Sequence, residues 1–203
     1  DSPASERRSL VRKTPSGLEG GTNLPFAKRM QFEGAVAASR GTLFHLFFES
    51  IEWLGEASPD RRVLKNIAVY TGVNEEKADG FIDEFMKICE MPEIRRALTR
   101  DSFSGTVEVY RELSLAWREG STFFSGSIDR LEIWRKGTEI EKAQIVDYKT
   151  DAFSDEEALA EKISYYSPQL ESYRKAVAKN FRLSADVIEA SLIFISGGRV
   201  IRL

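Results

Sequence analysis

Little in this sequence is suited to covalent crosslinks or thiolate metal clusters. Cys89 is the only cysteine among 203 residues. One thiol closes no intrachain disulfide, and alone it holds neither a zinc ion nor an iron–sulfur cluster. A reducing, cytoplasmic setting is the expectation. Histidine is as scarce, with His45 the only one. Long apolar runs are missing too. No uninterrupted stretch approaches the roughly 20 residues that a membrane span needs, and no signal-peptide pattern opens the chain. The Walker A pattern G-x-x-x-x-G-K-[ST] is absent, so no nucleotide-driven motor is expected. Basic charge is not in excess: 29 Lys and Arg face 32 Asp and Glu, a formal net charge of −3. Phosphate backbones favour basic surfaces, so a nucleic-acid role must rest on local charge. Arg7, Arg8, Arg12 and Lys13, Arg61–Arg62 and Arg95–Arg96 supply such clusters. A solvated mixed-charge surface is the plainer reading of each. The chain opens on Asp1 rather than Met, so a piece of a longer protein is expected.

What is present is ordinary globular material. Hydrophobic residues make up 42% and charged residues 30%, which excludes wholesale disorder and suits one domain with a sizeable core. Residues 1–32 are rich in Ser, Pro, Gly and charge and read as an irregular lead-in. From about Glu33 the apolar residues recur every three or four positions, and "EGAVAASRGTLFHLFFESIEWL" reads as a helix. Pro59 precedes a second helix, "DRRVLKNIAVYTG", and Asn74 caps a third, "EEKADGFIDEFMKICE". "PEIRRAL" is a short fourth, so residues 33–100 are helical. The period then changes to two. "TVEVYRELSLAWRE", "STFFSGSIDRLEIWR" and "IEKAQIVDYKT" read as strands, the last two joined by a hairpin in "RKGTEIEK". A long helix from about Asp155 to Lys179, a strand "VIEASLIFIS", a Gly197–Gly198 turn and "RVIRL" complete residues 101–203.

The chemistry concentrates in "QIVDYKTD". Residues two apart on a strand share a face, so Asp147 and Lys149 stand side by side. A plain ion pair on a half-exposed sheet face accounts for this strand alone about as well as a site does. The preceding strand places Asp129 on the parity of Leu131 and Ile133, and Gly126 leaves room for a close approach. If the hairpin pairs these strands, Asp129 and Asp147 lie near each other and repel. A divalent cation relieves that repulsion, and an oxygen-rich site suits Mg²⁺ or Mn²⁺. On the following helix Gln169 and Tyr173 share one face. His45 shares its helix face with Gly41 and Glu49, and Glu49 is placed to accept an imidazole N–H. Read alone, His45 is better explained as a satisfied polar core residue than as a ligand.

Four elements occur in order: Gly41 with His45, Gly126 with Asp129, Asp147 with Lys149, and Gln169 with Tyr173. Together they resemble the RecB-type branch of the PD-(D/E)XK nucleases. "KTPSGLEG", "YRELSLAW", "IVDYKTD", "YSPQLESYRKAVAK" and "LIFISGGRVIRL" are similar to the C-terminal nuclease domain of AddA-type helicase–nucleases. The likeness covers nearly the whole chain, most thinly over residues 55–100. The cysteine cluster of AddB-type nucleases is absent.

The resemblance implies an α/β fold, a restriction-endonuclease-like mixed sheet flanked by helices with an N-terminal helical region, as a single nuclease domain over residues 1–203. It implies a Mg²⁺- or Mn²⁺-dependent deoxyribonuclease without an iron–sulfur cluster, acting in double-strand break repair. Its partners would be DNA and a helicase module, in the same parent chain or in a complex, and no membrane. His45, Asp129, Asp147 and the Tyr148 backbone carbonyl would bind metal. Lys149 would orient water or stabilise the phosphate. Gln169 and Tyr173 would order the site or touch DNA. Glu112 matches a recurring acidic position. Two alternatives stand beside this reading: a catalytically inactive DNA-binding domain of the same fold, and a protein-interaction domain.

Overall fold

A computed structural model describes residues 11–15, 40–56 and 59–203. The expected start of the first helix at Glu33 and most of the lead-in lie outside those residues.

Local signals set the helices. α1 (Arg40–Glu49), α2 (Arg61–Tyr70), α3 (Glu75–Cys89) and α4 (Pro92–Ala97) come first. The Asp60 carboxylate accepts from the Arg62 amide ahead of α2, and Asn74 accepts from the Glu76 amide ahead of α3. Each side chain satisfies a donor that has no partner within its helix. On α3, Ala78, Ile82, Phe85 and Ile88 recur at helical spacing and are buried. They pack with Phe44, Phe47 and Phe48 of α1 against Val146, Tyr148, Ile193 and Ile195 of the sheet.

The sheet contains β1 (Val11–Lys13), β2 (Thr106–Glu119), β3 (Thr122–Lys136), β4 (Glu139–Lys149), β5 (Ile188–Phe194) and β6 (Arg199–Arg202). β2, β3 and β4 form an antiparallel meander, turned at Gly120 and Gly137, both with positive φ. α5 (Glu156–Phe181) connects β4 to the parallel β5. Its Leu159, Leu170 and Val177 pack on Leu131, Ile133, Ile145 and Leu192. Val146 and Tyr148 therefore face the α1–α3 layer, while Ala143 and Ile145 face α5. Helices flank a mixed sheet on both faces. The strand sequence matches the periodicity with one addition. Val11–Lys13, expected to be irregular, forms β1 and pairs parallel with Thr122–Phe124 of β3.

β3 is shared by three strands. β2 runs along one edge. The other edge carries β1 at Thr122–Phe124 and β4 at Arg130–Lys136. Between those pairings β3 and β4 part, and Asp147–Lys149 pair with β5. The gap is a fork in the sheet.

A buried arginine pins the end of the helical layer beside this fork. Arg130 is 1% exposed and its Nε donates to Glu132 Oε1 at 2.7 Å, itself 2% exposed. Arg130 Nη2 donates to the Glu52 carbonyl at 2.7 Å, and the guanidinium lies 4.6 Å from the Trp53 ring centroid. The chain leaving α1 is thereby fastened to β3.

Candidate active site at the fork between two strands

Three carboxylates meet where the ladder stops. β3 pairs with β4 only as far as Arg130–Val146, and with β2 on both sides of Asp129, at Arg111–Arg130 and Leu113–Ile128. One step further, the same registers set Asp129 opposite both Asp147 and Glu112, and neither pair forms. The Tyr148 amide, released from its β-ladder role, donates to Asp129 Oδ2 at 2.8 Å. Glu112 has a φ of 50°, a left-handed conformation that is uncommon for a residue with a Cβ. It breaks the two-residue alternation. Tyr110 and Leu113, three apart, both pack on the α5 side, as do Ile128 and Leu131 across from them. Asp129 therefore does not simply share the apolar face of Leu131 and Ile133. It sits at the phase change, within reach of the α1 layer.

His45 comes from that layer. A Cβ on Gly41 would meet Thr150 Oγ1 at 3.0 Å, so the glycine lets α1 close on the end of β4. His45 Nδ1 stands 3.5 Å from Asp129 Oδ2, and its ring is edge-on to Tyr148 at 6.0 Å. One ligand atom each from His45, Glu112 and Asp129 lies within 4.8 Å of the others. Glu49 does not take the expected part: no hydrogen bond joins it to His45 among the described residues. It lines, with Arg111, Glu112 and Ser114, a groove of about 640 Å³ along β2 that meets the site at Glu112.

Lys149 holds the α5 side. Its ammonium is 2.8 Å from Asp147 Oδ2 and donates to Gln169 Oε1 at 2.8 Å. Gln169 Nε2 donates to the Tyr173 hydroxyl at 3.3 Å, and that hydroxyl donates to the Ser127 carbonyl at 2.6 Å. Ser127 Oγ then donates to Glu112 Oε2 at 3.0 Å. A chain of hydrogen bonds thus runs from the lysine to the acid across the fork. Gln169 and Tyr173 are each 4% exposed, and these polar groups bond to one another and to β3 inside the site. A Cβ on Gly126 would meet Pro15 Cδ at 2.7 Å and Tyr173 Cε1 at 3.4 Å. The close approach expected there is made by Pro15 and Tyr173.

Sequence reasoning passed over Ser127, Tyr166 and Asp151. Tyr166 carried a usable signal, since it precedes Gln169 by three residues on one helix. Ser127 carried none, because nothing in "SGS" distinguishes a bridging hydroxyl.

These charges act on one another across the fork. Burial pushes Asp147 up to about 6, assisted by the negative charge of Asp129 and opposed by Lys149. Burial and the Asp129 charge push Glu112 up to about 7. Burial also works against ionised Asp129, but the His45 hydrogen bond and charge, the Tyr148 amide and Lys149 outweigh it and hold the carboxyl low. His45 is the mirror case: burial lowers it, and the hydrogen bond and charge of Asp129 with the charges of Asp147 and Glu112 raise it further. These carboxylates crowd one another and call for a cation.

A family model described as the PD-(D/E)XK nuclease superfamily matches residues 21–201. The chain belongs to the PD-(D/E)XK nuclease superfamily. No curated protein matches it. Its mixed sheet flanked by helices is the restriction-endonuclease-like fold of that superfamily. The nucleases of this superfamily use divalent metal ions, and the residues at the fork fit one. The donor set is an imidazole nitrogen and carboxylate oxygens at close quarters. Asp147 Oδ2 is buried and, beyond its ion pair with Lys149, accepts no hydrogen bond among the described residues. Hard oxygen donors suit Mg²⁺, and the imidazole is better matched to Mn²⁺. His45 must give up its proton to become a ligand. No described helix is long and apolar enough to cross a membrane.

Proposed function

We propose that the chain is a Mg²⁺- or Mn²⁺-dependent deoxyribonuclease that hydrolyses phosphodiester bonds, folded as a single domain over residues 1–203. One observation carries this reading: Asp129, Asp147, Glu112, His45 and Lys149 converge where β3 and β4 part. The likeness of "YRELSLAW", "IVDYKTD" and "YSPQLESYRKAVAK" to AddA-type sequences supports a narrower role. In that role the domain serves a helicase–nuclease in double-strand break repair, in the cytoplasm, beside a helicase module.

Asp129 and Asp147 are the metal ligands in this reading, with His45 as a nitrogen ligand and Glu112 as a further carboxylate. The N–H and C=O of a strand residue leave by the same edge, so the Tyr148 carbonyl opens toward the fork and is a plausible additional donor. A divalent cation held there supplies Lewis acidity, acidifying water near neutral pH and taking up charge on phosphate oxygens. Lys149 is a pure hydrogen-bond donor. Fixed by Asp147 and Gln169, it is oriented to meet negative charge as it builds on the phosphate. Gln169 and Tyr173 keep it there through Ser127. No side chain attacks phosphorus, so no covalent enzyme intermediate forms.

The test is cleavage of an end-labelled single-stranded DNA in Mg²⁺, in Mn²⁺ and in chelator. Metal-dependent cutting with 5′-phosphate products is expected. Salt-sensitive binding without cutting would instead make the chain an inactive DNA-binding domain. Failure to bind at any salt concentration would favour a protein-interaction domain.

A further inference from the structure

We infer that Tyr166 is a positioning residue for Lys149, an inference that rests on the nuclease reading of the fork. Tyr166 lies on α5 three residues before Gln169, so both side chains leave the same helix face. The Tyr166 side chain is 8% exposed. Lys149 Nζ stands 4.0 Å from its ring centroid. The same ammonium is 2.8 Å from Asp147 Oδ2 and 2.8 Å from Gln169 Oε1. A carboxylate, an amide and an aromatic face thus hold it from three directions.

The far end of the ring is anchored as well. The Tyr166 hydroxyl donates to Asp151 Oδ2 at 2.8 Å, and Lys162 Nζ donates to Asp151 Oδ1 at 3.1 Å. Asp151 lies two residues beyond Lys149, where β4 has ended. One tyrosine therefore grips the head of the lysine and, through the Asp151 side chain, the segment that follows β4. Core packing explains a buried ring beside Phe194, whose centroid is 6.4 Å away. It does not explain an ammonium over the ring face, which is an electrostatic contact. A lysine carries its charge on a flexible four-carbon stem. The ring narrows the directions that stem can take, so the ammonium meets the scissile phosphate without first searching for it.

The experiment is steady-state cleavage of a DNA oligonucleotide by the parent chain and by Tyr166→Phe, Tyr166→Leu and Tyr166→Met, with thermal melts of each. The ring face carries the effect, so Tyr166→Phe should stay within about threefold of the parent. Tyr166→Leu should lower kcat about thirtyfold, the rate equivalent of a desolvated cation–π contact. KM for the oligonucleotide and the Mg²⁺ half-saturation should not move. Tyr166→Met has about leucine's volume on a flexible chain that fills irregular gaps and should follow Tyr166→Leu, which covers the case of a branched side chain that packs too poorly to fold. Three results would each overturn the assignment: Leu or Met variants within about threefold of the parent, a Phe variant as slow as they are, or a loss confined to KM. A parent chain that cuts no DNA would overturn the nuclease reading, and this inference with it.

Discussion

At the scale of single residues, the fork trades stability for chemistry. Asp147 is buried with a raised pKa, and Lys149 is its main electrostatic relief. Asp147→Ala and Lys149→Ala should each lower DNA cleavage by about a thousandfold or more while the chain stays folded, since both remove charge placed for the transition state. Rates within tenfold of the parent would sink both assignments. Glu112 makes the cost measurable. Its carboxyl titrates near 7 because of burial and the Asp129 charge, against about 4.3 in an unfolded chain. An acid whose folded pKa is raised favours the fold only in its protonated form. The penalty is absent below the unfolded value, grows as pH rises and is complete above the folded value. In metal-free protein Glu112→Gln should therefore raise the melting temperature by on the order of a few degrees at about pH 8 and leave it unchanged at about pH 4. Melts in chelator at both pH values test this, and an equal shift at both would contradict it.

At the scale of elements, β3 shows what was legible beforehand and what was not. The hairpin at Gly137 and the strand lengths follow from local periodicity and turn chemistry. The break in alternation at Glu112 does not, because a left-handed backbone in a strand has no signature in a glutamate side chain. β1 was also hidden. Three residues of "VRK" carry no periodicity, and their pairing with β3 is a long-range event. His45 stands beside Asp129, while Glu49, one turn on, shares its helix face but lines the groove. Helical spacing fixes a side and leaves the partner open. Gly126 joins two of these elements. Gly126→Ala would drive a methyl group into Pro15 and set it in contact with Tyr173. Overpacking of this kind costs about 1–3 kcal/mol, and Tyr173 also anchors the hydrogen-bond chain to Lys149. Urea unfolding should show that loss, together with a fall in cleavage rate of about tenfold. A variant with parental stability and rate would mean that Pro15 yields freely.

At the scale of the whole molecule, two apolar cores press helices onto opposite faces of one sheet, and the fork opens between them. The tie that sets the α1 layer in place is the Arg130–Glu132 pair beneath Trp53. Sequence reading treats an arginine on a strand as surface, and only the closed fold shows this one buried. Arg130→Met leaves Glu132 ionisable and unpaired, which costs about 3–5 kcal/mol. Adding Glu132→Leu should recover most of it, as measured by chemical denaturation. A paired variant no more stable than the single one would show that the guanidinium bonds to the Ile51 and Glu52 carbonyls matter more than the ion pair. The fork itself is tested most directly by Mn²⁺ titration of metal-free protein, read from the loss of the free-ion electron paramagnetic resonance signal. The parent should take up Mn²⁺. Asp129→Ala and His45→Ala should weaken uptake by about tenfold or more, and Glu49→Ala should bind as the parent does. Parental affinity in Asp129→Ala would contradict the fork as the metal site.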